Sequence, residues 1–167
     1  SREQLKKLEK LNRIRFENVK YFENKMSHFP GINMPKVRKL SNHAYYVHAC
    51  RFDSNIVGID RNKFMEAVKA ELPFHELREL EGVRLGIGYV KPLYLQSMFQ
   101  EKKAYGTSGY PFKNSKISYQ KGICPVTEKM HFSELFTHEF IIPSMQKTDI
   151  DDVVLAFEKV YDHKDKI

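Results

Sequence analysis

Tryptophan is absent from this chain of 167 residues, cysteine occurs twice, and long apolar runs are missing. Each scarcity excludes something. With no tryptophan, and with tyrosine and phenylalanine spread over the whole length, there is no base-stacking platform for single-stranded nucleic acid. Cys50 and Cys124 neither make a disulfide framework nor stand at metal-ligand spacing, which points to a reducing, cytoplasmic setting. No stretch approaches the ~18 apolar residues that cross a bilayer. The charged, helix-patterned opening, 1–20, is not expected to be a signal peptide. Internal repeats and low-complexity tracts are also lacking.

What is present is charge. The formal net charge of +7 invites a nucleic-acid reading, but the lysines are scattered from Lys6 to Lys166 and never form a block. A solvated cationic surface, or affinity for a phosphorylated small molecule, accounts for it better. The length suits one domain, or one domain with an appended helix, able to hide roughly two-thirds of its unfolded surface.

Hydrophobic spacing organises the chain. Leu5, Leu8, Leu11, Val19, Phe22 and Met26 recur at intervals near three and four, predicting a leading helix over 1–28 with one buried stripe, ended by Phe29-Pro30-Gly31. A helix that opens without a cap suggests a stretch of something larger. A strand is predicted over 44–52, a turn over 53–60, and an amphipathic helix over 61–72 with Phe64, Met65, Val68 and Leu72 inward. Residues 73–81 are ambiguous and 83–90 read as a second strand. The span 92–122 is a long irregular loop with a helical turn near 95–99, the kind of segment that is usually functional or mobile. A helix over 124–136 starts on Pro125, a short strand over 140–143 ends at Pro143, and a last helix is capped by Thr148 and Asp151, with Ile150, Val153, Val154, Phe157 and Val160 inward. The order predicts an α+β fold, a small antiparallel or mixed sheet packed with helices.

Candidate chemistry is sparse. Gly106-Thr107-Ser108-Gly109 has backbone amides for a phosphate but lacks P-loop spacing, so a loop tip is the better account. Spaced five apart, His43 and His48 should face opposite sides of one strand, and His75, His131 and His138 are dispersed, so no metal site is expected. Cys124 at a helix start reads as a structural thiol. Lys91, at a strand end between Tyr89 and Tyr94, has the charge for an anionic substrate, and the two phenols have hydroxyls for a pocket.

Several segments, in order, resemble one family. Gln4-Leu5-Lys6-Lys7-Leu8-Glu9 with Arg15-Phe16-Glu17-Asn18 resembles a helix of the DegT/StrS-type pyridoxal-phosphate-dependent sugar aminotransferases. His43-Ala44-Tyr45-Tyr46-Val47-His48-Ala49-Cys50-Arg51 is similar to a strand of that family, and Arg61-Asn62-Lys63-Phe64-Met65-Glu66-Ala67 to the helix after it. Pro92-Leu93-Tyr94-Leu95-Gln96, Cys124-Pro125-Val126-Thr127-Glu128, and Pro143 with Asp149-Ile150-Asp151-Asp152-Val153 follow in the family's order. Tyr94 stands where the family has a histidine, and Gly86 and Gly88 where many members carry a basic residue and a histidine.

The resemblance implies the C-terminal small domain of the type I aminotransferase fold over 1–167, with the N-terminal cofactor domain absent. It implies pyridoxal phosphate in the intact enzyme and none on this stretch. The Schiff-base lysine and the main phosphate-binding residues belong to the N-terminal domain, so this stretch should be inactive alone and hold no catalytic or cofactor-binding residue. Tyr94, Lys91 and Tyr89 would lie on the substrate side. The intact enzyme would be a homodimer that passes an amino group from a donor such as glutamate to a keto-sugar, often nucleotide-linked. Two other readings stand beside this one: a non-catalytic interaction domain that has kept the fold, and a basic nucleic-acid-binding module.

Overall fold

The computed structural model describes residues 2–72, 85–138 and 141–167. Helix α1 (Arg2–Met26) buries only its second half, through Asn18, Val19, Phe22 and Met26. The stripe predicted for its first half is not buried within the chain: Leu5, Leu8 and Leu11 are 65%, 47% and 38% exposed. The period is helical throughout, but only the last turns lie over the sheet. The chain then reverses at Gly31, whose φ of +85° favours glycine and where a Cβ would sit 2.6 Å from Val57 Cγ2.

Strands β1 (Ile32–Asn33), β2 (His48–Phe52), β3 (Leu85–Ile87) and β4 (Leu135–His138) form an antiparallel sheet in the order β1-β2-β4-β3. His48 pairs with His138 and Cys50 with Phe136, while β3 sets Leu85 against His138. Alternation on β2 puts His48, Cys50 and Phe52 inside and leaves Ala49 and Arg51 outside. This strand is shorter than the predicted 44–52, because Tyr45 adopts a φ of +50° that no strand allows.

Short helix α2 (Ser54–Val57) and α3 (Arg61–Glu71) are each opened by an aspartate. Asp53 accepts from the amides of Asn55 and Ile56, and Asp60 from those of Asn62 and Lys63. As the spacing predicts, α3 buries Phe64, Met65 and Val68. The last helix, α6 (Lys147–Asp162), buries Ile150, Val153, Val154, Phe157 and Val160. Its cap is Gln146 rather than Thr148: the Gln146 amide donates to Asp149 at 2.7 Å. Asp151 is instead taken by the Tyr21 hydroxyl at 2.8 Å and Lys25 at 3.2 Å, tying α6 to α1.

The core forms where α1, α3 and α6 cover one face of the sheet. Phe157 meets Phe22, Phe64 and Phe136 at ring separations of 6.4, 6.2 and 6.2 Å. Removing that ring would cost ~3–5 kcal/mol by transfer and cavity terms. Asn18 closes the far end by donating to the carbonyls of Ile142 and Met145, both at 3.2 Å.

Two predicted elements change type. The helix expected over 124–136 is α5 (Pro125–Lys129), which widens into a π-turn (Met130–Glu134) and gives way to β4. The strand expected over 140–143 is not formed by 141–143, and residue 140 lies outside the described residues. The ambiguous span 73–81 and the first two residues of the strand predicted over 83–90 also lie outside them.

Candidate functional site

The face of the sheet away from the helices is open, and its wall is built from the segment that follows β3. Gly88 leaves the strand with a φ of +72°, donating its amide to the Leu135 carbonyl at 2.7 Å and accepting from the Thr137 hydroxyl at 3.2 Å. A Cβ there would lie 2.8 Å from the carbonyl oxygen of His131 and 3.0 Å from its Nδ1. Glycine is required because the π-turn passes so close.

That turn is held by Arg61, the first residue of α3 and only 1% exposed. Its guanidinium donates to the carbonyls of His131 at 3.1 Å, Phe132 at 2.8 Å, and Leu135. A π-turn leaves its carbonyls poorly paired, and a five-donor fork can collect several at once. Burial, followed by the nearby Arg61 charge, depresses the His131 pKa, favouring its neutral imidazole. His131 is a site residue that its isolated position in the sequence did not reveal.

Two cavities meet along this wall. One, of about 290 Å³, lies between Tyr89, Pro92, Thr127, Met130 and His131. The other, of about 570 Å³, is floored by Ala49, Leu135 and Thr137 and walled by Tyr46, His43 and Tyr89. Tyr89 and Leu135 line both. The lining is mostly aromatic and aliphatic with a few polar tips, the composition of a small-molecule site.

The structure separates the predicted site residues into two groups. Tyr89, 52% exposed, lines both cavities, whereas Lys91 is exposed and lines neither of them. Tyr94 is buried in a 3-10 turn (Leu93–Leu95), and its hydroxyl donates to Glu128 of α5 at 2.6 Å. Glu128 Oε1 also accepts the amides of Gly122 at 2.7 Å and Cys124 at 3.2 Å. Burial, then the bond to Glu128 and its charge, pushes Tyr94 up to about 12. The Tyr94 bond, then the two amides, holds the Glu128 carboxyl below its usual range.

This network clips the long loop at both ends. Past Tyr94 the short helix α4 (Ser97–Gln100) matches the helical turn expected near 95–99, and Gln100 donates to the carbonyls of Tyr94 and Tyr119 at 2.7 and 2.6 Å. Phe99, Phe112 and Tyr119 form a small core of their own, with ring separations from 5.3 to 5.9 Å. The span 92–122 is therefore irregular but built. Gly106-Thr107-Ser108-Gly109 is its tip, bracketed by the Tyr105–Tyr110 bridge, as the loop-tip reading expects. Cys124 is the partly buried residue that opens α5.

The reading of the histidines as dispersed does not survive folding. His48 and His138 are 90 residues apart in sequence, yet their rings face each other across the pair β2–β4, beside Cys50.

A sequence model described as the DegT/DnrJ/EryC1/StrS aminotransferase family matches residues 1–158. The chain is 25% identical over 157 residues to an uncharacterised protein of Methanocaldococcus jannaschii, covering 94% of this chain and 34% of that protein. It is 20% identical over 157 residues to the spore coat polysaccharide biosynthesis protein SpsC of Bacillus subtilis, covering the same shares. The chain thus spans about a third of the length of these relatives. Among solved structures, DesV of S. venezuelae in complex with a ketimine intermediate is similar in fold, with a TM-score of 0.65 at 15% identity, covering 96% of this chain and 34% of that one.

Proposed function

This chain belongs to the DegT/DnrJ/EryC1/StrS aminotransferase family, and we propose that it is the C-terminal small domain of an enzyme that transfers an amino group from an amino acid such as glutamate to a keto-sugar, often a nucleotide-linked one. The observation that carries this reading is the open face of the sheet. Helices cover one side, and the other holds two joined cavities walled by Tyr89 and the π-turn. A domain that closes over a substrate held elsewhere needs such a concave face. The polysaccharide role of the Bacillus relative supports a sugar as the acceptor.

The cofactor of this reading is pyridoxal phosphate, which supplies the electron sink for amino transfer. Its Schiff base requires a lysine shielded from water. The family resemblance places that lysine in the N-terminal domain, so this reading assigns the cofactor to the remainder of the protein. The domain by itself is then inactive. Its part is to bind and orient. Lys91 offers a cation to an acidic group on the substrate, Tyr89 offers an aromatic wall and a hydroxyl, and Tyr94, with its hydroxyl given to Glu128, holds the loop in place. The same reading makes the intact enzyme a cytoplasmic homodimer with neither membrane nor nucleic acid as partner. Among the described residues no helix is long and apolar enough to cross a membrane.

The experiment is spectroscopic. The intact protein, loaded with pyridoxal phosphate, should show the absorbance of the bound cofactor, lose it on addition of glutamate, and regain it when a keto-sugar is supplied. Folded protein that binds the cofactor and ignores glutamate would overturn the activity and favour a non-catalytic domain that has kept the fold.

A further inference from the structure

We propose that His48, Cys50 and His138 form a buried binding site for a soft metal ion, Cu(I), with the thioether of Met34 as fourth donor. The donor atoms of the first three lie within 4.8 Å of one another, and the residues are 2%, 0% and 1% exposed. Met34, partly buried on the segment after β1, brings its sulfur to 3.6 Å from Cys50 Sγ. The site is independent of the cavities on the open face: it lies on the other side of the sheet, beneath α1.

Sheet register builds it. His48 and Cys50 are two apart on β2 and point inward together, and His138 is the cross-strand partner of His48 on β4. In a tetrahedral frame, bonds of roughly 2.0 Å to imidazole and 2.3 Å to thiolate put nitrogen and sulfur ~3.5 Å apart. Cys50 Sγ and His48 Nδ1 are 3.7 Å apart. The two imidazole nitrogens, His48 Nδ1 and His138 Nε2, lie 2.6 Å apart and share a proton. An ion between them would replace that hydrogen bond and open the gap by ~0.7 Å, a rotation of two rings.

Two further features fit a ligand set. His48 Nε2 faces the Glu23 carboxylate at 3.2 Å, the arrangement by which an outer carboxylate orients a metal-binding imidazole. Two imidazoles, a thiolate and a thioether suit copper, since thioether sulfur is a soft donor and zinc takes thiolate, imidazole and carboxylate. Imidazole ligates in its neutral form and cysteine as its thiolate. Binding therefore releases the thiol proton to solvent, and the cation takes its place as the partner of sulfur. The one proton shared between the rings moves to the other nitrogen of the ring that carries it, so that each ring keeps a single N–H facing away from the ion. Copper stays Cu(I) throughout.

The test uses the whole protein, reduced, stripped with chelator and free of oxygen, titrated with Cu(I) against a coloured Cu(I) chelator. The expected result is one copper per chain, kept in Cys124→Ser and weakened at least tenfold in Cys50→Ser and in His138→Asn. Should those two variants fail to fold, Met34→Leu keeps the shape of a partly exposed side chain and should still lower Cu(I) affinity tenfold or more while leaving Zn(II) affinity unchanged. X-ray absorption of the loaded protein should show both sulfur and nitrogen neighbours. No copper held by the folded wild type, copper lost only in Cys124→Ser, or affinity unmoved by Met34→Leu would each overturn the proposal.

Discussion

Arg61, in the first turn of α3, donates its guanidinium to the carbonyl of Leu135, the first residue of β4. One side chain thereby ends a π-turn, starts a strand, and fixes the wall of both cavities. Arg61→Met keeps volume but leaves the carbonyls of His131, Phe132 and Leu135 without that donor. At ~1–3 kcal/mol for each buried group left unmade, the loss should reach at least ~3 kcal/mol. Urea unfolding of the variant against wild type measures it, and a loss under ~1 kcal/mol would mean that water replaces the guanidinium.

Gly88 tests the same wall from the other side. Gly88→Ala meets both a left-handed backbone and the His131 contact at 2.8 Å, whereas Gly58→Ala has a φ of +90° with nothing within 4 Å. Gly58→Ala should therefore cost only the backbone strain, ~1 kcal/mol, and Gly88→Ala at least ~1 kcal/mol more. Equal melting temperatures for the two would show that the turn yields freely.

The Tyr94–Glu128 bond predicts a pH window. Glu128 is held below its usual 4.5, so its contribution is present above that pH and is lost as pH falls through the lowered value. Tyr94 is raised from 10.0 to about 12, so its contribution is complete below pH 10 and lost as pH rises toward 12. The stability difference between wild type and Tyr94→Phe should thus be largest at neutral pH and small at either extreme. Thermal melts of both proteins across pH check this, and a difference constant with pH would exclude the bond as its source.

Lys91 and Tyr89 are exposed, so substitutions there should leave stability within about 0.5 kcal/mol. In the intact enzyme, Lys91→Ala should raise KM for a phosphorylated sugar about tenfold with kcat little changed, the pattern of a lost binding contact. Tyr89→Ala should do the same with a smaller effect for an uncharged sugar analogue than Lys91→Ala has for the charged substrate. Steady-state kinetics with both substrates separates the two, and unchanged KM in both variants would move the substrate site off this wall.

Much of the helical framework was legible because helix faces repeat locally. Phe64, Met65 and Val68 of α3, and Ile150 to Val160 of α6, lie where their spacing puts them. The first half of α1 shows the limit of that logic. Leu5, Leu8 and Leu11 have a core stripe's spacing, but a stripe says only that a surface is apolar. What covers it depends on how far the neighbouring elements reach. At the other end, the run 124–136 contains no proline or glycine after Pro125 and reads as one helix. Arg61, more than sixty residues earlier, draws its carbonyls away and lets β4 begin.

The sequence by itself determined the α+β class, the long irregular loop, the inward faces of α3 and α6, and the ordered run of segments that belongs to one aminotransferase family. Each is carried by neighbours in the chain or by order along it. Only the tertiary structure decided that Arg61 holds the π-turn, that Tyr94 gives its hydroxyl to Glu128, and that His48 meets His138 across 90 residues. Those pairings depend on strand register and on which helix lies over which strand. A shift of one residue along β2 would turn His48 and Cys50 to the open face and leave every local pattern unchanged.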